Sequence, residues 1–350
     1  MTEQPKVYLA RAGRNGEDED VALEKGIAII GYLEVPDLAN SMDLDSVTKL
    51  VAGALSDRKP RAQLNFARQL WTFAGRMQEG DIVVLPRKLT SQIAVGRVTG
   101  PYRYQKVNSH LRHTRPVEWL RPEVPRTAFK QDLLYSFGAF MTVCSISRND
   151  AVRRIQAVLQ GKLDPGPSAV STTATVAPTS EEDQTDEVPD LAQLAHDQIV
   201  AQIQSRFAGH SLTRLVDAVL RADGWVTKVS PPGPDGGVDI LAGSGSLGLD
   251  SPRLCVQVKS QNDPADVTVY RTLQGTMQTF GAQQGLLVCW GGYNRAVDKE
   301  SRQAHFTVRL WDSRDLVEAI YRHYERLPAE IQADLPLKRV WTLVAEELEE

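Results

Sequence analysis

The sequence predicts a two-domain protein in which an α+β domain precedes an α/β domain. Its 350 residues exceed the usual size of one domain. Residues 163–190 are rich in Pro, Ser and Thr and carry seven acidic residues with no Lys or Arg, a composition typical of a flexible linker. Strand-like and helix-like segments occur on both sides of it. We therefore predict one domain over residues 1–162, a linker over 163–190 and a second domain over 191–350.

The N-terminal segment mixes short strands and helices. Strand-like apolar runs cover residues 6–13, 26–33, 81–86, 91–104 and 114–120. Helical periodicity covers residues 41–55, 62–77 and 149–161. Ser41 is the expected cap of the first helix, and Gly161 the expected end of the last. The pattern indicates a small α+β domain built on a curved or barrel-like sheet.

The C-terminal segment opens with two helices and continues with strands that alternate with further helices. The predicted helices cover residues 190–207, 211–224, 265–280, 294–304 and 314–327. The predicted strands cover residues 225–230, 238–243, 254–260, 285–290 and 307–312. Such alternation favours a sheet flanked by helices, which is an α/β layer architecture.

Composition excludes several classes of protein. No apolar run approaches the ~20 residues that a membrane helix needs, and the opening MTEQPK is too polar for a signal peptide. We therefore expect a cytoplasmic protein with no membrane association. The cysteines Cys144, Cys255 and Cys289 form no C-x-x-C pair, so a zinc site or a disulfide framework is not expected.

Positive charge is concentrated in one part of a chain whose net charge is −4. Residues 61–126 contain twelve Lys or Arg against four Asp or Glu, together with several aromatic residues. Cations that neutralise phosphates and rings that stack on bases are typical of nucleic-acid binding. The alternative is an ordinary charged surface.

A short motif in the C-terminal segment indicates hydrolytic chemistry. PDGGVDI at 234–240 precedes RLCVQVKS at 253–260, where Gln257 and Lys259 lie on one face of a strand and the apolar residues on the other. Asp239 stands among apolar residues, where a carboxylate is paired or binds metal. A carboxylate, an amide oxygen and an ammonium group suit metal-assisted phosphodiester hydrolysis. Alternatively, Asp239 caps a turn and the polar pair lines a hydrated sheet face.

The segments SLTRLVDAVLRADGW, GPDGGVD and VQVK together resemble the Mrr branch of the PD-(D/E)xK nucleases. This resemblance implies a restriction endonuclease-like α/β sheet flanked by helices. It also implies that Asp239 and Gln257 bind Mg²⁺ or Mn²⁺ and that Lys259 is the catalytic lysine. Asp235, the first acid of the motif, would position the site or its loop.

The chain departs from this family at the start of the motif helix. The family has Phe-Glu there, and its Glu assists metal binding, whereas this chain has Leu212 and Thr213. Asp217 follows one helical turn later and is the candidate replacement ligand. A solvated or helix-pairing Asp is the alternative.

The N-terminal segment is similar to PUA-like, EVE-related domains through RAG at 11–13, GIAIIGY at 26–32, GDIVVLP at 80–86, IAVGRVTGPYRY at 93–104 and HTRPVEWL at 113–120. This similarity implies a small β-barrel with helices that holds a flipped, modified base against aromatic rings. The pocket candidates are Tyr32, Trp71, Tyr102 and Trp119, with core packing the alternative for the tryptophans. The candidate phosphate contacts are Arg87, Lys88, Arg103, Arg112 and Arg115, with a solvated surface the alternative.

The sequence thus predicts a Mg²⁺-dependent, modification-dependent DNA endonuclease of the type IV-like restriction class. Its partner would be modified double-stranded DNA, cut at a variable distance from the recognised base because the linker is long. Cutting both strands needs two active sites, so a homodimer on DNA is expected. The alternatives are a non-cleaving sensor that lacks the helix acid and a PUA-like protein directed to RNA.

Overall fold

The computed structural model describes residues 4–13, 16–41, 43–88, 90, 92–138, 141–168, 191–231 and 237–341. These residues divide into two compact units that meet in sequence between Leu194 and Ala195. Most of the predicted linker, together with Asp235, lies outside the described residues. Within the described ranges, no helix combines the length and apolar character that a membrane span requires.

The N-terminal unit is built on a seven-stranded sheet. Its strands are β1 Val7–Ala10, β2 Ile27–Ile30, β3 Ile82–Pro86, β4 Gln92–Val98, β5 Arg103–Tyr104, β6 His113–Pro125 and β7 Val143–Ser145. The order is β2-β6-β4-β3-β1-β7, and β5 also pairs with β6. Strands β1 and β3 are parallel, whereas the other pairs are antiparallel.

Strand β6 curves this sheet, because it pairs with β2, β4 and β5 along its 13 residues. Its register against β4 shifts between Ile93 and Gly96, as it does at β-bulges, which bend and twist a strand. Gly96 is needed at the bend because a Cβ there would lie 2.5 Å from the Val117 Cγ1. The predicted α+β unit on a curved sheet is confirmed, while its closure into a PUA-like barrel stays a prediction.

Helices cover both sides of the N-terminal sheet. They are α1 Glu19–Lys25, α2 Leu44–Ala54, α3 Pro60–Trp71, α4 Gln131–Phe137 and α5 Ala151–Leu159, with a π-helical turn at Thr72–Arg76. One core packs α2 and α3 against β1 and β3, and another packs α4 and α5 against the opposite side of the same strands.

Two local predictions in this unit were incomplete or wrong. Asp43, rather than Ser41, caps α2, since its side chain accepts the Ser46 N–H at 2.7 Å. The short elements α1, α4 and β7 were not predicted, because three to seven residues show too little periodicity to be recognised.

The C-terminal unit is a five-stranded mixed sheet between helices. Its strands are β8 Val226–Val229, β9 Ile240–Ser244, β10 Asp250–Lys259, β11 Gln284–Cys289 and β12 Val308–Trp311. Its helices are α6 Leu191–Arg206, α7 His210–Ala222, α8 Val267–Phe280, α9 Arg295–Ser301, α10 Ser313–His323 and α11 Ala329–Asp334. The order is β12-β11-β10-β9-β8, with β10, β11 and β12 parallel and the other pairs antiparallel.

Each face of this sheet has its own core. Ile240 and Val256 point toward α7 and α10, whereas Cys255 and Leu287 point toward α8. Helix α8 is capped by the Asp266 side chain and ends at Gly281, whose φ of 62° suits a residue without Cβ. The predicted α/β sheet with helices on its faces is confirmed.

The first residues of the predicted linker are fixed to the N-terminal unit. Asp164 is buried and forms an ion pair of 2.6 Å with Arg154, whose guanidinium also binds Asp132 at 2.6 Å. Arg153 donates to the Gly166 carbonyl at 2.6 Å. The described part of this unit therefore extends to residue 168 rather than ending at 162.

Replacing Arg154 with Met is expected to lower the free energy of unfolding of this unit by roughly 3–5 kcal/mol, because it leaves a buried carboxylate unpaired. Burial favours a raised pKa for Asp164, but hydrogen bonds from Arg154, Lys130 and Gly166 outweigh it and hold that pKa below its usual value. A depressed carboxyl pKa stabilises the fold above the unfolded pKa and loses this effect as the pH falls through the folded pKa.

The difference between wild type and Arg154→Met should therefore narrow below about pH 4. Urea unfolding at pH 7 and pH 3 measures it. Arg58→Met is the control, because the exposed pair of Arg58 with Asp57 contributes at most about 1 kcal/mol. Equal losses in the two variants would contradict the role given to Arg154.

Candidate functional site

Asp239 lies at the point where β9 begins beside β10. Its N–H donates to the Val256 carbonyl at 2.9 Å, and its Oδ2 accepts the Val258 N–H at 2.8 Å. Its own carbonyl accepts the Ser230 N–H at 2.9 Å. These bonds on both sides hold the half-buried carboxylate against the end of β10.

Gln257 is a buried polar side chain on β10, with 4% of its surface exposed. Its Oε1 has no hydrogen-bond partner among the described residues. A buried acceptor without a donor costs free energy, so native proteins seldom keep one without a reason. Gly237, at φ +86°, lies close enough that a Cβ there would be 4.0 Å from the Gln257 Nε2.

Lys259 is half-buried at the end of β10, where it pairs in register with Cys289 of β11. Burial raises the pKa of the Cys289 thiol to about 12, although the Tyr293 hydroxyl and the Lys259 charge act in the opposite direction. Cys289 therefore stays a neutral thiol. It supplies no negative charge to pair with the nearby Lys259 ammonium.

Asp239, Gln257 and Lys259 share one face of the sheet. Gln257 and Lys259 alternate with Val256 and Val258 and so lie on the α8 side with Cys255. Val256 pairs with Ile240 across the two antiparallel strands. If this register continues by one residue, Asp239 lies opposite Gln257. The convergence of the three side chains on one metal ion stays a prediction.

The donor set at this edge fits a hard divalent cation. Asp239 offers a carboxylate, and the Gln257 Oε1 is a neutral oxygen that lacks a donor. Mg²⁺ is commonly bound through one or two protein carboxylates, with waters and substrate phosphates completing its shell. No group of three or more His, Cys, Asp or Glu able to hold a metal occurs in the residues that the structure describes.

Asp217, the expected replacement for the family's helix acid, has other partners. Its carboxylate contacts Arg221 at 3.0 Å and accepts the Thr227 hydroxyl at 2.5 Å. Thr227 pairs with Ala242, whose side chain belongs to the α7 side of the sheet. Asp217 thus lies over the face opposite to Gln257, and we leave it out of the metal site. Asp235 lies outside the described residues.

The four aromatic candidates of the N-terminal unit all border one core. Tyr102 belongs to that core, and Tyr32, Trp71 and Trp119 pack against it. The Trp71 ring lies over Gly75, where a Cβ would be 1.9 Å from it. The Trp119 indole donates to the Ala22 carbonyl at 3.0 Å. Core packing, the alternative given for the two tryptophans, accounts for both positions.

His113, which the sequence did not single out, joins Tyr32 to Tyr102. Its Nδ1 lies 2.7 Å from the Tyr102 hydroxyl, and its Nε2 lies 3.2 Å from the carbonyls of both Tyr32 and Val35. Burial lowers the pKa of His113, which favours a neutral ring that accepts at Nδ1 and donates at Nε2. In the sequence, the only signal for His113 was its position in the strand-like run HTR at 113–115.

Tyr32 itself has a backbone conformation that is rare for a residue with a side chain, with φ at 67°. Its ring contacts Phe66, with ring centroids 5.3 Å apart. Such strained residues persist where the surroundings hold them and are enriched at ligand sites. Tyr32 is half-buried. Of the four aromatic candidates, it is the one whose backbone carbonyl is held by His113.

Two of the predicted phosphate contacts are buried arginines. Arg87 bonds Gln92 at 2.8 Å and lies 3.6 Å from Glu19. Arg115 donates to the carbonyls of Phe73 at 2.7 Å, Ala74 at 2.8 Å and Gly100 at 3.2 Å, and burial lowers its pKa to about 10. Both guanidinium groups hold the fold together, so their predicted contact with phosphates is incompatible with the structure.

The remaining three cationic candidates lie nearer the surface. Lys88 and Arg112 are half-buried, whereas Arg103 is exposed. The Arg112 guanidinium donates to the carbonyl of Asn108 at 2.7 Å and of Leu111 at 2.9 Å. Arg103 is therefore the candidate whose side chain is presented to solvent.

A family model matches part of each unit of the chain. Residues 204–320 match the family model Mrr_cat, described as a restriction endonuclease, and residues 6–137 match a domain of unknown function, DUF8426. No curated protein matches the chain. The C-terminal unit thus carries an Mrr-type restriction endonuclease domain, which confirms that resemblance. The PUA-like resemblance of the N-terminal unit is not confirmed.

Three solved structures show weak similarity to the chain. The modification-dependent restriction endonuclease AspBHI is 14% identical, over 89% of this chain and 79% of that one, with a TM-score of 0.34. The MspJI restriction endonuclease in complex with a 27-mer oligonucleotide is 15% identical, over 90% and 75%, with a TM-score of 0.31. AF1548, of unknown function, is 14% identical, over 35% and 77%, with a TM-score of 0.25.

Replacing Gln257 with Met is expected to leave the free energy of unfolding unchanged or to raise it by about 1 kcal/mol, because it removes a buried acceptor that has no donor. The same variant should lose any rise in melting temperature that Mg²⁺ gives the wild type. Thermal unfolding with and without Mg²⁺ measures both effects.

Gln332→Met is the matched control in the same unit, because the Gln332 Nε2 donates to the carbonyls of Tyr324 at 3.2 Å and Leu327 at 2.9 Å. It should lose stability and keep the response to Mg²⁺. Destabilisation of Gln257→Met to the same extent would show that the Gln257 amide is satisfied in the native protein.

Proposed function

We propose that the protein is a divalent-metal-dependent DNA endonuclease whose N-terminal unit senses a modified base. The observation that supports the nuclease assignment is the buried Gln257 Oε1, which has no hydrogen-bond donor among the described residues and belongs to the strand whose Val258 N–H binds the Asp239 carboxylate. The family match of residues 204–320 supports the same reaction class. We propose the cytoplasm as the place where the enzyme meets DNA.

In this proposal Asp239 and Gln257 hold a Mg²⁺ or Mn²⁺ ion, which would lower the charge on the scissile phosphate and activate water. The Val258 N–H orients the Asp239 carboxylate through its bond to Oδ2. The Lys259 ammonium stabilises negative charge that develops on the phosphate. Gly237 lies close to Gln257, and a Cβ there would stand 3.3 Å from the Thr276 Oγ1 and 4.0 Å from the Gln257 Nε2.

For the N-terminal unit, we propose that the Tyr32 segment forms one wall of a base pocket within a PUA-like barrel. Its support is the strained Tyr32 backbone, held by His113, next to a ring contact with Phe66. A flipped base could stack on a ring fixed in this way. Double-stranded DNA with a modified base is the proposed partner, and two copies acting on one duplex would cut both strands.

A non-cleaving DNA sensor is the second candidate function, and one observation favours it. The family's helix acid is replaced by Thr213, and Asp217 is engaged by Arg221 and Thr227 on the other face of the sheet. The site therefore has one carboxylate fewer among the described residues, which weakens binding of a divalent cation. Cleavage assays separate the two candidates.

Substitution of Lys259 by Ala is expected to lower the rate of Mg²⁺-dependent plasmid cleavage by roughly 10²-fold or more, because it removes one charge-stabilising donor. Lys228→Ala, on the exposed edge strand β8 of the same sheet, should cleave at the wild-type rate. EDTA should abolish the activity. Cleavage that survives in Lys259→Ala would remove the proposed site, and a wild type that binds DNA but never cuts would favour the sensor.

Binding to a panel of duplexes that differ only in the chemistry of one base tests the sensing role. The full-length Lys259→Ala protein avoids cleavage during the measurement. We expect one modified base to bind at least about tenfold more tightly than the unmodified base, a difference of about 1.4 kcal/mol. Equal affinity for all duplexes would contradict base sensing, and preference for an RNA competitor would favour an RNA-directed function.

A further inference from the structure

The hairpin that joins β5 to β6, residues 103–113, presents a row of exposed polar and aromatic side chains. Arg103, Gln105 and Lys106 are exposed, and 38% of Tyr104 is accessible. The hairpin contains no acidic residue. Neither Arg103 nor Lys106 forms an ion pair within the described part of the chain, so both charges face solvent.

This hairpin lies within a basic stretch of the sequence. Residues 82–117 carry seven Lys or Arg and no Asp or Glu. Arg87 and Arg115 are buried, and Arg97 is exposed on β4 opposite Glu118. Arg103 and Lys106 are the exposed pair that stands clear of a cross-strand acid. The hairpin thus presents two of the exposed cations of this stretch.

Internal hydrogen bonds make the hairpin rigid. The Asn108 Oδ1 accepts the N–H groups of His110 and Leu111, each at 2.9 Å. The Gln105 N–H donates to the Arg112 carbonyl at 2.9 Å. The Arg112 guanidinium closes the turn on the Asn108 carbonyl at 2.7 Å, so this cation serves the turn. A surface that is already ordered loses little conformational entropy when it binds a partner.

The base of the hairpin is connected to the Tyr32 segment. The Tyr104 ring meets the His113 ring at a centroid distance of 5.2 Å and an angle of 68°. His113 in turn bonds the Tyr102 hydroxyl and the Tyr32 carbonyl. The exposed cations and the strained Tyr32 are therefore held by one rigid cluster.

The acid nearest to the turn is already engaged. The Asp18 carboxylate is 4% exposed and lies 3.0 Å from the His110 Nε2, on the side of the hairpin that faces α1. The Asp18 carboxylate forms no ion pair with Arg103 or Lys106 and so does not neutralise either of them. The outward face of the hairpin thus keeps its positive charge.

We infer that residues 103–113 form the element with which the N-terminal unit docks on duplex DNA, with Arg103 and Lys106 binding backbone phosphates. A two-stranded ribbon of this kind fits the major groove, which is about 12 Å wide. Through Tyr104 and His113, docking would bring the Tyr32 segment next to the groove. This inference rests on the proposed function and names the surface through which that function meets its substrate.

The test measures how duplex binding depends on salt, using the full-length Lys259→Ala protein and unmodified DNA. Adding Arg103→Gln and Lys106→Gln should reduce the slope of log affinity against log salt by about 2, since each lost phosphate contact removes about 0.9. The control pair Arg97→Gln and Lys162→Gln removes the same charge from exposed positions outside the hairpin and should keep the slope of the Lys259→Ala parent.

A charge-conserving pair, Arg103→Lys with Lys106→Arg, separates docking from folding, because it should keep the slope that the Gln variants lose. An unchanged slope in the Gln pair, or an equal loss in the control pair, would overturn the inference even if the wild type cleaves DNA. A hairpin-dependent slope in a wild type that never cleaves would support docking and contradict the nuclease proposal. A slope seen only with RNA would overturn both.

Discussion

The pairing of β9 with β10 is the constraint on which the C-terminal site depends. Its register places Ile240 opposite Val256. The Val258 N–H then donates to the Asp239 carboxylate instead of to a carbonyl of the neighbouring strand. A shift of one residue would turn Asp239 to the other face of the sheet. The apolar residues that alternate with Gln257 and Lys259 prevent such a shift, because they fill the core under α7 and α10.

The place of Gln257 beside this strand pair also explains why its energetically costly buried amide oxygen is kept. A buried amide oxygen without a donor lowers stability, and the Gln257 Oε1 has no donor among the described residues. Sites that bind a cation or substrate often carry such unsatisfied groups, since their partner arrives from outside. The surrounding sheet is otherwise apolar and well packed, so it can tolerate the cost.

In the N-terminal unit, the polar side chains of Arg115, Arg154 and His113 are buried and stabilise the fold instead of facing solvent. Arg115 bonds two carbonyls in the turn that follows α3 and the Gly100 carbonyl after β4, and Arg154 joins two carboxylates that fix residues 163–168. His113 plays the corresponding part for the loop that carries Tyr32. Arg115 and His113 thus bind backbone carbonyls and Arg154 binds carboxylates, so these side chains serve the fold and not a nucleic-acid surface.

Much of the fold and the core of the candidate site could be predicted from the sequence alone. Alternating apolar residues fixed which face of β10 carries Gln257 and Lys259, and helical periodicity located α7 and α8, because both patterns depend only on local geometry. The tertiary structure decided the fate of the cations and tryptophans. Arg87, Arg103 and Arg115 have the same chemistry in the sequence, and only the path of distant segments determines that two of them meet carbonyl or amide groups inside the fold while the third faces solvent. Asp217 was separated from Gln257 for the same reason, since a sheet stands between them.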